Sequence, residues 1–309
     1  MNTRGLNIAV IVLAVLAGVF YWSMHRKAPE ESAAPTPNPS PVILKVNAPD
    51  VTELAIKRKG ADPVTVKKTD GKWQITEPKP YPADQEAVTS IVSTLTLLNA
   101  DRLVEAQAAD KRQYGLDAPA VEVDIGGRGT RQLLLGDDTP AGGDVYAALA
   151  ADPRVFTISS YNKTSLDKSL NDLRDKSLLT VNPDNVSRVE LIKKGQDIEF
   201  DRTKDGWQML KPSAAAADSS AVNDLVRSLT TARMDLSTTS DAVAGFAKGT
   251  GVGTAKLTGN SGVQTLEVRK DKDDYYAKSS AVAGTYKVDS FLGQALEKKP
   301  DDFVSKKKS

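Results

Sequence analysis

The sequence predicts an α+β protein: an N-terminal transmembrane helix, then two tandem copies of an antiparallel-sheet domain, each covered by an amphipathic helix. Three observations predict it. The first is an uncharged apolar run near the N-terminus. The second is short alternating apolar segments punctuated by Gly, Asp and Pro. The third is a self-match along the remainder at a spacing of 130 to 135 residues.

The first element is the run Leu6 to Met24, 19 residues without a formal charge. At 1.5 Å per residue it reaches about 28 Å as a helix, close to the ~30 Å hydrocarbon core. Tyr21 and Trp22 stand near its end, and His25, Arg26 and Lys27 follow as a polar stop. A cleaved signal peptide is the rival, but the run exceeds the usual apolar length, and the small-residue site Ser32-Ala33-Ala34 lies well beyond it. Residues 1–27 are therefore expected to form an uncleaved anchor. Flanking charge does not set the orientation, but a short tail before a large C-terminal part suits an N-in anchor. The expected localisation is a bacterial inner membrane, crossed once, with the C-terminal domains in the periplasm. Residues 28–43, with Pro29, Pro35, Pro37, Pro39 and Pro41, read as an extended linker, and Lys306-Lys307-Lys308 lie in a basic tail, 305–309.

Between them the chain says the same thing twice, as a first repeat over 44–178 and a second over 179–304. Asp50 to Gly60 matches Asn185 to Gly195 at an offset of 135 (185 − 50). Asp70-Gly71-Lys72-Trp73-Gln74 returns as Asp205-Gly206-Trp207-Gln208, and Val88, Ile91, Val92, Leu95 return as Val222, Leu225, Val226, Leu229. Tyr146, Phe156, Ile158, Tyr161 and Leu166 return as Tyr276, Tyr286, Val288, Phe291 and Leu296. The period is too long for a solenoid unit, so these are two domain copies.

Within the first copy, Val51, Leu54, Ile56, then Val64, Val66, then Trp73, Ile75 predict a three-strand meander turning at Lys59 to Asp62 and at Asp70-Gly71. Pro78, Pro80 and Pro82 end it, Asp84 offers an N-cap, and Val88, Ile91, Val92, Leu95 form one apolar helical stripe. After Tyr114-Gly115-Leu116, alternation resumes at Val121, Val123, Ile125, turns at Gly126-Gly127-Arg128-Gly129, and continues through Leu133, Leu135, Val145, Phe156 and Ile158. A short helix with Tyr161, Leu166 and Leu170 closes the unit. The second copy follows the same order, with one residue fewer before its tryptophan and no clear counterpart of Tyr114-Gly115-Leu116.

The anchor, the strand–turn–Asp-Gly-x-Trp opening, the amphipathic helix and the duplication together resemble the bacterial DUF4340 domain proteins, from about Leu44 to Val304. The resemblance implies a membrane-tethered, extracytoplasmic protein. It also implies an association with auxiliary components of ABC-type transporters of the gliding-motility kind. It transfers no functional residue, because the family carries no established catalytic motif.

Composition narrows the chemistry. Forty-one Lys and Arg against 40 Asp and Glu give a net charge of +1, so nothing favours nucleic acid. Cysteine is absent and His25 is the only histidine, which excludes thiol nucleophiles, cysteine metal sites and His-paired catalysis downstream of the anchor. Gly126 to Gly129 lacks the Lys-Ser/Thr of a phosphate loop and reads as a hairpin. The runs Asp137, Asp138, Asp144 and Asp271, Asp273, Asp274 lack EF-hand spacing and read as solvated loops. No catalytic, cofactor or metal residue is expected. Trp73 and Trp207 are the candidate interaction residues, set against a packing role at symmetric positions beside turns. The expected function is a non-enzymatic accessory subunit of an inner-membrane complex, such as an ABC transporter permease and ATPase. The alternative is an envelope glycan- or lipid-binding module, for which exposed aromatics would be the hooks. A carboxylate hydrolase working between the copies ranks third.

Overall fold

The computed structural model describes residues 41–304 apart from 238, together with Tyr21. The expected anchor, nearly all of the linker and the basic tail lie outside the described residues. Among the described residues no helix is long and apolar enough to cross a membrane.

Each copy is built on one antiparallel sheet. The first contains β1 (Val51–Arg58), β2 (Val64–Thr69), β3 (Lys72–Glu77), β4 (Tyr81–Pro82), β5 (Arg102–Glu105), β6 (Val121–Gly127), β7 (Arg131–Asp138), β8 (Asp144–Leu149) and β9 (Val155–Ser159), ordered β4-β3-β2-β1-β6-β7-β8-β9-β5. The second contains β10 (Arg188–Ile192), β11 (Ile198–Thr203), β12 (Gly206–Lys211), β13 (Ala215–Ala216), β14 (Thr250–Gly259), β15 (Gly262–Asp271), β16 (Asp274–Ser279) and β17 (Tyr286–Val288). Its order is β13-β12-β11-β10-β14-β15-β16-β17. Among the described residues β5 is the only strand without a counterpart. Where it would lie, the second copy keeps a single bridge, Asp235 to Lys287.

Helices α1 (Gln85–Thr96) and α4 (Ser219–Thr230) cover the inner faces at an offset of 134 (219 − 85). Asp84 and Asp218 cap them identically, each side chain accepting from the second and third helical amides, as short carboxylates before a helix do. The apolar stripes named above, Val88, Ile91, Val92, Leu95 and Val222, Leu225, Val226, Leu229, are all buried. α2 (Ser160–Leu166) and α3 (Leu170–Leu173) close the first copy, and α6 (Ser290–Glu297) with a 3-10 turn at Pro300–Phe303 closes the second. The backbone register is duplicated too. Asp84 N–H donates to Leu173 C=O as Asp218 N–H does to Phe303 C=O, and Ala100 N–H to Pro41 C=O as Met234 N–H does to Lys176 C=O.

The copies differ in two further places. The two Trp hairpins have loops of equal length, Thr69 facing Lys72 and Thr203 facing Gly206, so no residue is missing before Trp207. What moves is the left-handed backbone. Asp70 and Gly71 carry it in the first turn (φ +51° and +79°), as a type I′ turn requires, whereas in the second it falls on Gly206 (φ +126°). The outer face of the sheet is covered differently. Around Leu116 and Tyr114 an irregular segment packs on Ala148, Val155 and Tyr146, whereas in the second copy α5 (Thr239–Lys248) lays Ala242 and Phe246 against Tyr276. This helix stands where Tyr114-Gly115-Leu116 has no sequence counterpart.

Candidate functional site

Trp73 and Trp207 are each only 5% exposed. Trp73 N–H donates to Gln85 Oε1 at 2.8 Å, and Trp207 N–H to Ser219 Oγ at 3.1 Å, so each strand is tied to the first residue of the covering helix. Trp207 Nε1 donates to Asn223 Oδ1 at 2.9 Å, and a cation lies over each ring, Lys68 at 5.8 Å and Arg202 at 5.3 Å. Two buried rings pinned at equivalent points hold hairpin to helix, and neither presents a face for stacking on a sugar or base.

The exposed aromatics are a different symmetric pair. Tyr161 on α2 is 75% exposed and Phe291 on α6 is 74% exposed, at an offset of 130. Each is the second helical residue after a capping side chain, Tyr161 N–H donating to Ser159 Oγ and Phe291 N–H to Asp289 Oδ1. The buried anchors are Leu166 and Leu296, five residues further on, which at about 100° per residue puts the aromatics roughly 140° away from the core-facing direction. Tyr161 thus turns out of the core rather than into it.

Around Phe291 lies a shallow apolar cleft of about 350 Å³ lined by Thr231, Ala232, Val288 and Leu292, with Arg233 and Asp289 at its polar side. The first-copy position equivalent to Thr231 is Leu97, itself 77% exposed. In the second copy the aromatic thus stands beside the C-terminus of the covering helix, and the equivalent residues of the first copy, Tyr161 and Leu97, are both exposed. These residues were visible as matches in the duplicated sequence. Their outward direction was not, because helices of seven and eight residues carry too few turns for a stripe to define a face.

The other candidate sites resolve into structural features. Gly127 is required by close approach, since a Cβ there would fall 1.8 Å from the Asp50 carbonyl oxygen, to which Arg128 N–H donates. The run is a hairpin between β6 and β7, and no helix follows it to cradle phosphate. Asp138 pairs with Lys163 at 3.0 Å and Asp274 with Lys287 at 2.8 Å. Among the described residues no group of three or more carboxylates or histidines is arranged to hold a metal. On the outer face of the first sheet Lys57 bridges Glu122 at 2.5 Å and Asp124 at 2.7 Å, and the hydrogen bonds it donates to Asp124, then Glu122, push its ammonium pKa up. That is a cross-strand ion ladder, not a poised base.

Fold and surface together define a duplicated α+β protein with paired exposed aromatics. Its family is the one described as Domain of unknown function (DUF4340), whose sequence pattern matches residues 73–248 and again 207–308, and the chain belongs to it. Both matches begin at the equivalent tryptophans. No curated protein and no solved structure matches the chain.

Proposed function

We propose that the protein is a membrane-anchored, non-enzymatic accessory subunit. In this reading its two copies dock on an inner-membrane complex, an ABC-type transporter of the gliding-motility kind being the partner that the family resemblance implies. The observation that carries the reading is the pair Tyr161 and Phe291. Aromatics exposed by three quarters at equivalent positions of two copies are costly to leave in water, and at interfaces aromatic side chains supply much of the binding energy. The apolar stretch Leu6 to Met24 supports tethering beside such a complex, with the domains outside the cytoplasm. Burial of Trp73 and Trp207 counts against the glycan-binding reading.

The test is affinity purification of the full-length protein from mild detergent, followed by mass spectrometry, beside the double variant Tyr161→Ala, Phe291→Ala. Stoichiometric recovery of a permease or ATPase with the wild type, reduced at least tenfold with the variant, is the expected result. Recovery of the protein alone, under conditions that keep other membrane complexes intact, would overturn the proposal and turn the search to envelope ligands.

A further inference from the structure

Duplication makes each copy a control for the other, and at one end of the sheets a neutral pair in the second copy gives way to cations in the first. Where the chain enters the second copy, Thr180 N–H donates to Gln264 Oε1 at 2.9 Å, and Gln264 Nε2 donates back to Thr180 Oγ1 at 2.7 Å. The Gln264 side chain thus holds the entering chain to the start of β15. The first copy has the same backbone there. Pro41 and Lys176 accept equivalent amide bonds, from Ala100 and Met234, so Lys45 corresponds to Thr180 at the same offset of 135 (176 − 41 and 180 − 45). Ile125 faces Leu54 of β1 and Arg131 of β7, just as Leu257 faces Val189 of β10 and Gln264 of β15. Arg131 therefore stands in the place of Gln264.

The exchange leaves donors without an acceptor. A guanidinium has only N–H groups, so Arg131 offers nothing to the Lys45 N–H, and among the described residues that N–H makes no hydrogen bond within the protein. Arg128, at the tip of the hairpin between β6 and β7, joins the other two cations, and all three line one cavity of about 210 Å³. The corresponding tip of the second copy, Gly259-Asn260-Ser261-Gly262, carries no charge. Among the described residues Lys45, Arg128 and Arg131 have no ion pair. The one carboxylate lining the cavity, Asp50, accepts from Asn47 Nδ2 at 3.0 Å, and three cations against one anion leave a positive surplus. A cleft lined mainly by one sign of charge concentrates counter-ions.

We propose that Lys45, Arg128 and Arg131 bind a phosphate group, one oxygen of which accepts from the Lys45 N–H as Gln264 Oε1 accepts from the Thr180 N–H. A guanidinium fork pairs with two phosphate oxygens at once, and the lysine adds a compact charge. Two forks, an ammonium and an amide exceed what the two oxygens of a carboxylate accept, whereas a tetrahedral oxyanion has room for them. Recognition here is by side chains, not by the backbone cradle of a phosphate loop. A free phosphate and the headgroup of an anionic lipid both present this chemistry.

The test titrates inorganic phosphate, and separately short-chain phosphatidylglycerol, into the full-length protein in non-ionic detergent at constant sodium chloride, read by calorimetry and by the melting temperature. The expected result is saturable binding at one site with a Kd of about 1 mM or tighter. A response to phosphate identifies a soluble ligand, and a response confined to the lipid identifies a headgroup; either supports the site. Lys45→Thr combined with Arg131→Gln installs the neutral pair of the second copy and should weaken binding at least tenfold. Arg128→Ala, at an exposed hairpin tip, should also weaken it at least tenfold, and carries the test should the double variant fail to fold. No binding of either probe by the wild type up to about 10 mM, tenfold above a millimolar Kd, would overturn the proposal. So would binding that neither variant weakens.

Discussion

Arg174 Nη2 donates to Tyr286 Oη at 3.1 Å, joining the last residues of the first copy to the sheet of the second. The same guanidinium lies 4.2 Å from the ring of Tyr81 and 5.9 Å from that of Tyr286, so it is held between an aromatic of each copy. At the equivalent positions the repeats carry other residues. Tyr81 corresponds to Ala215, Arg174 to Val304, and Tyr286 to Phe156. The internal match thus breaks where the copies meet, and it breaks toward a planar cation and two rings, a set suited to a fixed junction. Asp84 and Arg233, 3.6 Å apart, add a second contact across the same seam.

Removing the clamp should loosen the junction without dissolving either core. Arg174→Ala is expected to cost about 1–2 kcal/mol, from one hydrogen bond and one partly desolvated cation–π contact. Arg174→Lys should recover only part of it, since an ammonium cannot stack and donate at once. Urea unfolding followed by tryptophan fluorescence measures the loss, and small-angle scattering should show a broader distribution of distances between the copies. A variant as stable and as compact as the wild type would show that the contact does not hold the halves together.

The duplicated cores allow a paired experiment. Leu95 and Leu229 occupy the same place on α1 and α4, and neither has exposed surface. Truncating either to alanine should cost about 2–5 kcal/mol, the range for a fully buried leucine whose cavity cannot collapse. Trp73 and Trp207 report separately once the other, together with Trp22, is replaced by phenylalanine. With Trp207→Phe, Leu95→Ala should shift the remaining transition further than Leu229→Ala does. Equal shifts would mean that the copies unfold as one cooperative unit.

How far the sequence could be read depended on the range of the physics involved. The stripe Val88, Ile91, Val92, Leu95 and the alternation Val121, Val123, Ile125 are local periodicities. They put helix and strands in their places, and the repeat at 134 residues doubled the signal. The tryptophans were visible as a pair, but whether a ring faces core or solvent depends on the covering helix, which arrives only with tertiary packing. Tyr161 and Phe291 were misleading for the opposite reason. They belong to short helices, one burying only Leu166 and the other Leu292, Gly293, Ala295 and Leu296, too few turns for a stripe to be read in advance. β5 had no alternation long enough to announce it. The Arg174 clamp joins positions 112 residues apart (286 − 174), a contact with no local signature at all.

Acidification should act on the first copy in two opposite senses. The Asp152 carboxyl is held below the usual carboxylate range by the Arg154 side chain, which donates through Nε at 3.0 Å and Nη2 at 2.5 Å. A carboxyl whose pKa is lower folded than unfolded contributes stability that is present above the unfolded value, about 4, and is lost as pH falls through the folded value. Asp101 runs the other way. Burial and the neighbouring Asp144 raise its pKa, so the folded state binds that proton more tightly, and its unfavourable charge is relieved as pH falls toward the ordinary range. Asp152→Asn is therefore expected to lower stability at neutral pH and flatten the acid limb of the profile below about pH 4. Asp101→Asn should raise stability at neutral pH, with the advantage fading as the wild-type carboxyl becomes protonated. Denaturation midpoints of the three proteins, measured at half-unit steps from pH 2 to pH 7, separate the two effects. Parallel profiles for Asp152→Asn and the wild type would show that the Arg154 pair adds nothing to the fold.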